Sequence, residues 1–193
     1  MRFEAFSRKA ADQRCDCLVV GVFERGELGS LAQAVDRAMR GRIRALLARG
    51  DFSGRAGETL LLTEPVAIKA ARLLLVGVGG KAQYNRRAWR RALGHAITAL
   101  ARTSVASAAL SLEPPGGREF DDFYFGRAVA EATGTSLYRI NDLKSARKPR
   151  PPVLSRVLCG PVSSGALSVM PWLVALCTES GATTCTSPRL VNS

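Results

Sequence analysis

The 193-residue sequence predicts an α/β fold, with helices flanking a largely parallel or mixed sheet and an irregular C-terminal tail. Three observations predict it. Residues 72–81, RLLLVGVGGK, place an apolar run directly before a glycine-rich turn and a basic amphipathic segment. A short unbroken apolar run bounded by turn residues is what a strand buried on both sheet faces looks like. A second such run, CLVVGVF at 17–23, is rich in β-branched residues. Between and after these runs the apolar period changes to three and four, the spacing of a helix face.

Taken in order, residues 3–6 read as weakly extended and 17–23 as the first strand. Leu31, Val35, Met39, Ile43, Leu46 and Leu47 then form one apolar stripe, with Arg37, Arg40, Arg44 and Arg49 largely off it. This predicts a single amphipathic helix capped by Ser30 and ended by Gly50. Residues 51–57 are a turn-rich link, and 59–62 a further strand. After the central strand, Asn85 is suited to cap a helix reaching Arg102, with Trp89, Leu93, Ala96, Ile97 and Leu100 as its apolar stripe. Residues 105–112 read as a strand, 120–138 as a helix, the proline-rich and basic 144–152 as an extended connector, and 153–158 as a last strand.

Composition narrows the class. With 47% hydrophobic and 23% charged residues the chain is globular, and its length suits one domain plus a tail. Five cysteines, none in a Cys-x-x-Cys pair, favour a reduced, cytoplasmic compartment. The N-terminus is charged and has no apolar core of a secretory signal. Residues 157–178 contain no charge, yet two prolines, two glycines and three serines dilute them, so no membrane span is expected.

The net charge of +12 would draw the chain toward polyanions. Its most concentrated expression is the helix face carrying Arg86, Arg87, Arg90 and Arg91, which makes a basic nucleic-acid-binding module, with DNA as partner, the alternative function. Trp89 lies on the apolar stripe and no aromatic residue shares the face of these arginines, so a solvated helix face is the competing reading. The glycine turn fails both phosphate-loop patterns. Lys81 is followed by Ala82 where a P-loop needs Ser or Thr, and position 82 lacks the third glycine of a dinucleotide loop. A structural turn is expected there. His95 is the only histidine and cannot build a zinc site without converging carboxylates or thiolates, so packing in or beside the core is expected. Glu119, Asp121 and Asp122 cluster at a helix start, where the helix dipole favours negative charge. No catalytic, cofactor-binding or metal-binding residue is assigned.

Four stretches taken together resemble the N-terminal domain of the leucine aminopeptidase (cytosol aminopeptidase) family. They are CLVVGVFERGEL at 17–28, ALLARGDFSGRAGETLLL at 45–62, RLLLVGVGG at 72–80 and SLYRINDLKS at 136–145, in the family's order and spacing. The resemblance covers residues 1–160 and implies a macro-domain-like fold. It further implies a non-catalytic assembly or regulatory role beside a larger catalytic domain. Family members are hexameric exopeptidases that remove N-terminal residues from peptides using two divalent metals, zinc or manganese. Their metal ligands lie in motifs such as NTDAEGRL, and no such stretch occurs in this sequence. The resemblance therefore implies no cofactor in this chain, no peptidase activity of its own, and a homo-oligomer or a mixed oligomer with intact relatives. From 162 to 193 only Glu179 and Arg189 are charged, and the family pattern stops. A lost reading frame near residue 160 is the expectation for 161–193. An absence of any alternative frame continuing the family pattern downstream of codon 160 would remove it.

Overall fold

The computed structural model describes residues 2–6, 9–116, 122–137 and 154–160. Among these residues six strands form one sheet: β1 (Arg2–Ala5), β2 (Cys17–Phe23), β3 (Thr59–Thr63), β4 (Arg72–Gly79), β5 (Ser107–Ser111) and β6 (Arg156–Cys159). Their spatial order is β1-β6-β5-β2-β4-β3, parallel throughout except for β3, which runs antiparallel to β4. Helices α1 (Ser30–Ala38) and α2 (Arg42–Arg49) cover one face, while α3 (Arg86–Ala101) and α4 (Asp122–Leu137) cover the other.

Burial on both faces explains the unbroken apolar runs. Along β2, Leu18, Val20 and Val22 enter the α1/α2 layer, whereas Cys17, Val19 and Phe23 enter the α3/α4 layer. In β4, Leu73 and Leu75 alternate in the same way with Leu74, Val76 and Val78. Each such side chain contributes about 1.5–3 kcal/mol by leaving water. At the edge, β3 is covered on one face only, so Leu60 and Leu62 pack inward while Leu61 stays 37% exposed. At the other edge, a bidentate contact from Arg156 to Glu4 (2.9 and 2.6 Å) joins β6 to β1.

The predicted single helix over residues 30–50 is two helices. Arg40 (φ 56°) and Gly41 (φ 80°) adopt left-handed conformations that end one helix and start the next. The buried Asp36 carboxylate holds the break, accepting from Ile43 N–H (2.9 Å) and Arg44 N–H (3.2 Å) at the start of α2. Met39 and Ile43 remain buried on the same side of the sheet, which is why the stripe conceals the break. Ser30 is the first residue of α1 rather than its cap. A carboxylate distant in sequence does the capping, with Glu113 accepting from the Ser30 hydroxyl (2.7 Å) and Leu31 N–H (2.9 Å). Asn85 caps α3 as expected, its side chain accepting from the N–H groups of Arg87 and Ala88, both at 3.0 Å. The connector over 144–152, the tail over 161–193, and the proposed capping by Glu119 and Asp121 lie outside the described residues.

Candidate functional site

In open α/β sheets ligands gather outside the carboxyl ends of the parallel strands. Here that edge is formed by the ends of β2, β4 and β5, and the chain's own loops occupy most of it. Strand β4 runs on through Gly77 to Gly79, so the sharp turn expected at those glycines comes only at Gly80. Their lack of side chains serves a different purpose. Residues 53–58 lie across the strand ends, with Gly57 N–H donating to Gly77 O (3.1 Å), Gly77 N–H to Glu58 O (2.8 Å) and Gly79 N–H to Gly54 O (3.1 Å). A Cβ on Gly77 would collide with the Arg55 carbonyl, and one on Gly54 with that of Phe23. The glycine turn thus receives backbone from its own chain, and the N–H groups of Gly77 and Gly79 are spent on carbonyls.

Glu58 cinches that loop. Its carboxylate accepts from the Ser53 hydroxyl (2.6 Å), Ser53 N–H (3.1 Å) and Arg55 N–H (3.2 Å). Burial raises its carboxyl pKa, but the Ser53 hydroxyl and the N–H groups of Ser53, Arg55 and Gly54 outweigh burial and hold it below the usual value. Because the folded value is depressed, the carboxylate's stabilising contribution is present above the unfolded pKa of about 4.3 and is lost as pH falls through the folded value. Urea denaturation from pH 6 downward should therefore show a steeper acid loss in the native sequence than in Glu58→Gln. Parallel pH profiles would refute this.

Beside the loop, Tyr84 packs edge-on against Phe23, with centroids 4.9 Å apart, and its hydroxyl donates to Glu113 O at 2.6 Å. Burial, then the Glu113 charge, pushes this phenol far above its ordinary range, so it stays a neutral donor. The α1 N-terminus, an intrinsic anion site, is already filled by the Glu113 carboxylate. Among the described residues, a cleft of about 550 Å³ opens between the turn after β2, the end of α2 and the 53–58 loop. Arg25, Arg44 and Arg55 line it with Glu24, over a wall that includes Leu47 and Phe52. Sequence reading missed these arginines. The one available signal was the pair of ERG and SGR triplets beside predicted strand and helix ends, which does not say that they share a cleft.

The four arginines singled out on α3 do not form a uniform anion patch. All are exposed, but the Arg86 guanidinium lies 4.4 Å over the Tyr124 ring, and Arg90 donates to Glu131 at 2.8 Å. Glu131 also accepts from Arg127 at 2.7 Å. Arg86 and Arg90 are thus engaged with α4, leaving Arg87 and Arg91 pointing to solvent without a described partner. His95 is exposed rather than core-packed, because α3 turns it toward Gly57 at the rim of the loop. Burial pushes the thiols of Cys15 up to about 11 and of Cys17 and Cys159 to about 12, so none is a thiolate near neutral pH. Among the described residues, no group of three or more His, Cys, Asp or Glu side chains is placed to hold a metal. None of the described helices is long and apolar enough to cross a membrane.

A mixed six-stranded sheet with its helices in this order is a macro-domain-like fold. A macro domain of ganglioside induced differentiation associated protein 2 superposes with a TM-score of 0.64 at 13% identity, covering 91% of this chain and 83% of that one. A tomato leucine aminopeptidase mutant superposes with a TM-score of 0.70 at 17% identity, covering 92% of this chain and 36% of that one. Residues 19–147 match the N-terminal domain of the cytosol aminopeptidase family, and the chain belongs to that family. A probable cytosol aminopeptidase of Halorhodospira halophila is 39% identical over 162 residues, which are 83% of this chain and 32% of the relative. One from Cupriavidus pinatubonensis is 44% identical over 108 residues, 55% of this chain and 21% of the relative. The chain thus spans about a third or less of the length of these relatives.

Proposed function

We propose that this chain acts as a non-catalytic assembly or regulatory domain of a leucyl-aminopeptidase-type metallopeptidase. What supports the reading is that three carboxylates are spent on the scaffold. Glu58 cinches a loop, Glu113 caps α1 and Asp36 caps α2, so each one stabilises the scaffold. Two-metal peptide hydrolysis needs several carboxylates converging on cations that polarise the scissile carbonyl and generate hydroxide. On this reading those groups belong to a catalytic domain outside these residues, and the present domain contributes surface to a mixed or homo-oligomer.

The expected result is no hydrolysis of a leucyl chromogenic substrate by the purified chain above the buffer blank, with manganese or zinc added. Co-elution with an intact family member on size exclusion is the expected sign of assembly. Metal-dependent turnover by the pure chain would overturn the non-catalytic reading, and separate elution of the two chains would overturn the assembly role.

A further inference from the structure

We propose that the outer edge of β3 pairs with the same edge of a second copy of this chain, joining the two sheets through antiparallel β3 strands about a two-fold axis at Leu61. The inference rests on the assembly role and names the surface that serves it. Among the described residues β3 ends the strand order and pairs with β4 alone. Glu58 O accepts from Gly77 N–H (2.8 Å) and Glu64 N–H donates to Ala71 O (3.1 Å), so the even-numbered positions from 58 to 64 turn their backbone groups toward β4. Backbone groups alternate in direction along a strand. The N–H and C=O groups of Thr59, Leu61 and Thr63 therefore point away from the sheet, and all three residues are exposed.

This edge is unguarded. Sheet edges are commonly protected from further pairing by lysine, proline or a bulge. Residues 58–64, ETLLLTE, contain no basic residue and no proline, although the chain holds 28 Lys and Arg, and the register with β4 is continuous. The two exposed large apolar side chains among the described residues are Leu61 (37%) in β3 and Val66 (50%) just after it. The edge is also self-complementary, because ETLLLTE reads alike in both directions. Set antiparallel to itself, β3 places Leu61 opposite Leu61, Leu60 opposite Leu62, and Thr59 opposite Thr63. Each outward N–H then meets an outward C=O, and the apolar pairs fall on both faces. A two-fold contact presents one patch to its own copy, and this symmetry is what it needs. At the strand ends Glu58 spends its charge on the Ser53 hydroxyl and Arg55 N–H. Glu64 of the second copy is thereby brought to a loop whose exposed charge is that of Arg55.

Sedimentation equilibrium of the full chain over a concentration series tests the proposal, and a reversible dimer is expected. Leu61→Lys sets two like charges opposite each other on the axis, while position 61 lies outside both core clusters, so the fold is kept and the dimer weakens at least about tenfold. Oxidative cross-linking in a Cys177→Ser, Cys185→Ser background checks the register separately. With Leu61→Cys the two Cα atoms stand about 5.5 Å apart, within the span of a disulfide, and the chains should link. With Thr59→Cys the two thiols are displaced by roughly 13 Å along the strands and should not. A chain that stays monomeric at every concentration, a dimer that Leu61→Lys leaves unchanged, or Thr59→Cys linking as readily as Leu61→Cys would each overturn the proposal. Co-elution with an intact relative beside any of these results leaves the assembly role standing on another surface.

Discussion

Gly77→Ala is expected to unfold or severely destabilise the domain, by about 3–5 kcal/mol, although it adds only one methyl group. The added Cβ would meet the Arg55 carbonyl well inside contact distance, and the carbon atoms of Arg55 and Gly54 at 2.8 Å. Backbone cannot yield as a flexible side chain can, so the 53–58 loop must lift. With it go the three hydrogen bonds that join this loop to Gly77 and Gly79, each contributing about 0.5–1.5 kcal/mol. Overpacking itself costs about 1–3 kcal/mol. Gly94→Ala is the control with the opposite sign. Gly94 lies within α3, has open space where its Cβ would stand, and lacks a positive φ. Alanine there should stabilise the helix by about 0.8–1 kcal/mol through propensity alone. Urea midpoints of the two variants, measured together, check both signs. A Gly77→Ala protein as stable as the native one would show that the loop does not rest on the strand as described.

These two glycines also mark the limit of what the sequence reveals. The alternation of strands and helices was legible because burial on both faces writes an uninterrupted apolar run at residues 18–20 and 73–76, and covering helices write a different period. Strand order and direction were not legible. In TLLLT, Leu61 is as apolar as its neighbours, and nothing local tells that β3 runs antiparallel at an edge. The break between α1 and α2 was hidden because Met39 and Ile43 keep a helical spacing across it. Glu113 caps a helix 82 residues earlier in the chain, a pairing that only the folded sheet creates. The arginines of the cleft were lost among 28 basic residues, since composition counts charges without saying which of them meet. The arginine face on α3 was visible as a pattern, yet its contacts to Tyr124 and Glu131 depend on where α4 packs.

Trp89→Ala should cost about 3–5 kcal/mol, as for other large aromatic truncations in a core. Trp89 is fully buried, with the Phe125 ring 5.2 Å and the Tyr124 ring 6.5 Å from its own. It therefore stands where α3 meets α4, over the layer containing Leu74, Val76 and Leu110. Removing the indole opens a void that the sheet cannot fill, because β4 is held by pairing on both sides. The helix free to respond is α4, which lies outside the sheet's hydrogen-bonding network. The lost stability should consequently appear unevenly. Amide exchange is expected to accelerate most in α4, next in α3, and least in β2 and β4. The surface contacts to α4, Arg86 over the Tyr124 ring and Arg90 with Glu131, cannot compensate, since exposed cation–π contacts and ion pairs contribute at most about 1 kcal/mol each. A uniform increase in exchange across all elements would contradict this hierarchy and place α4 within the same cooperative unit as the sheet.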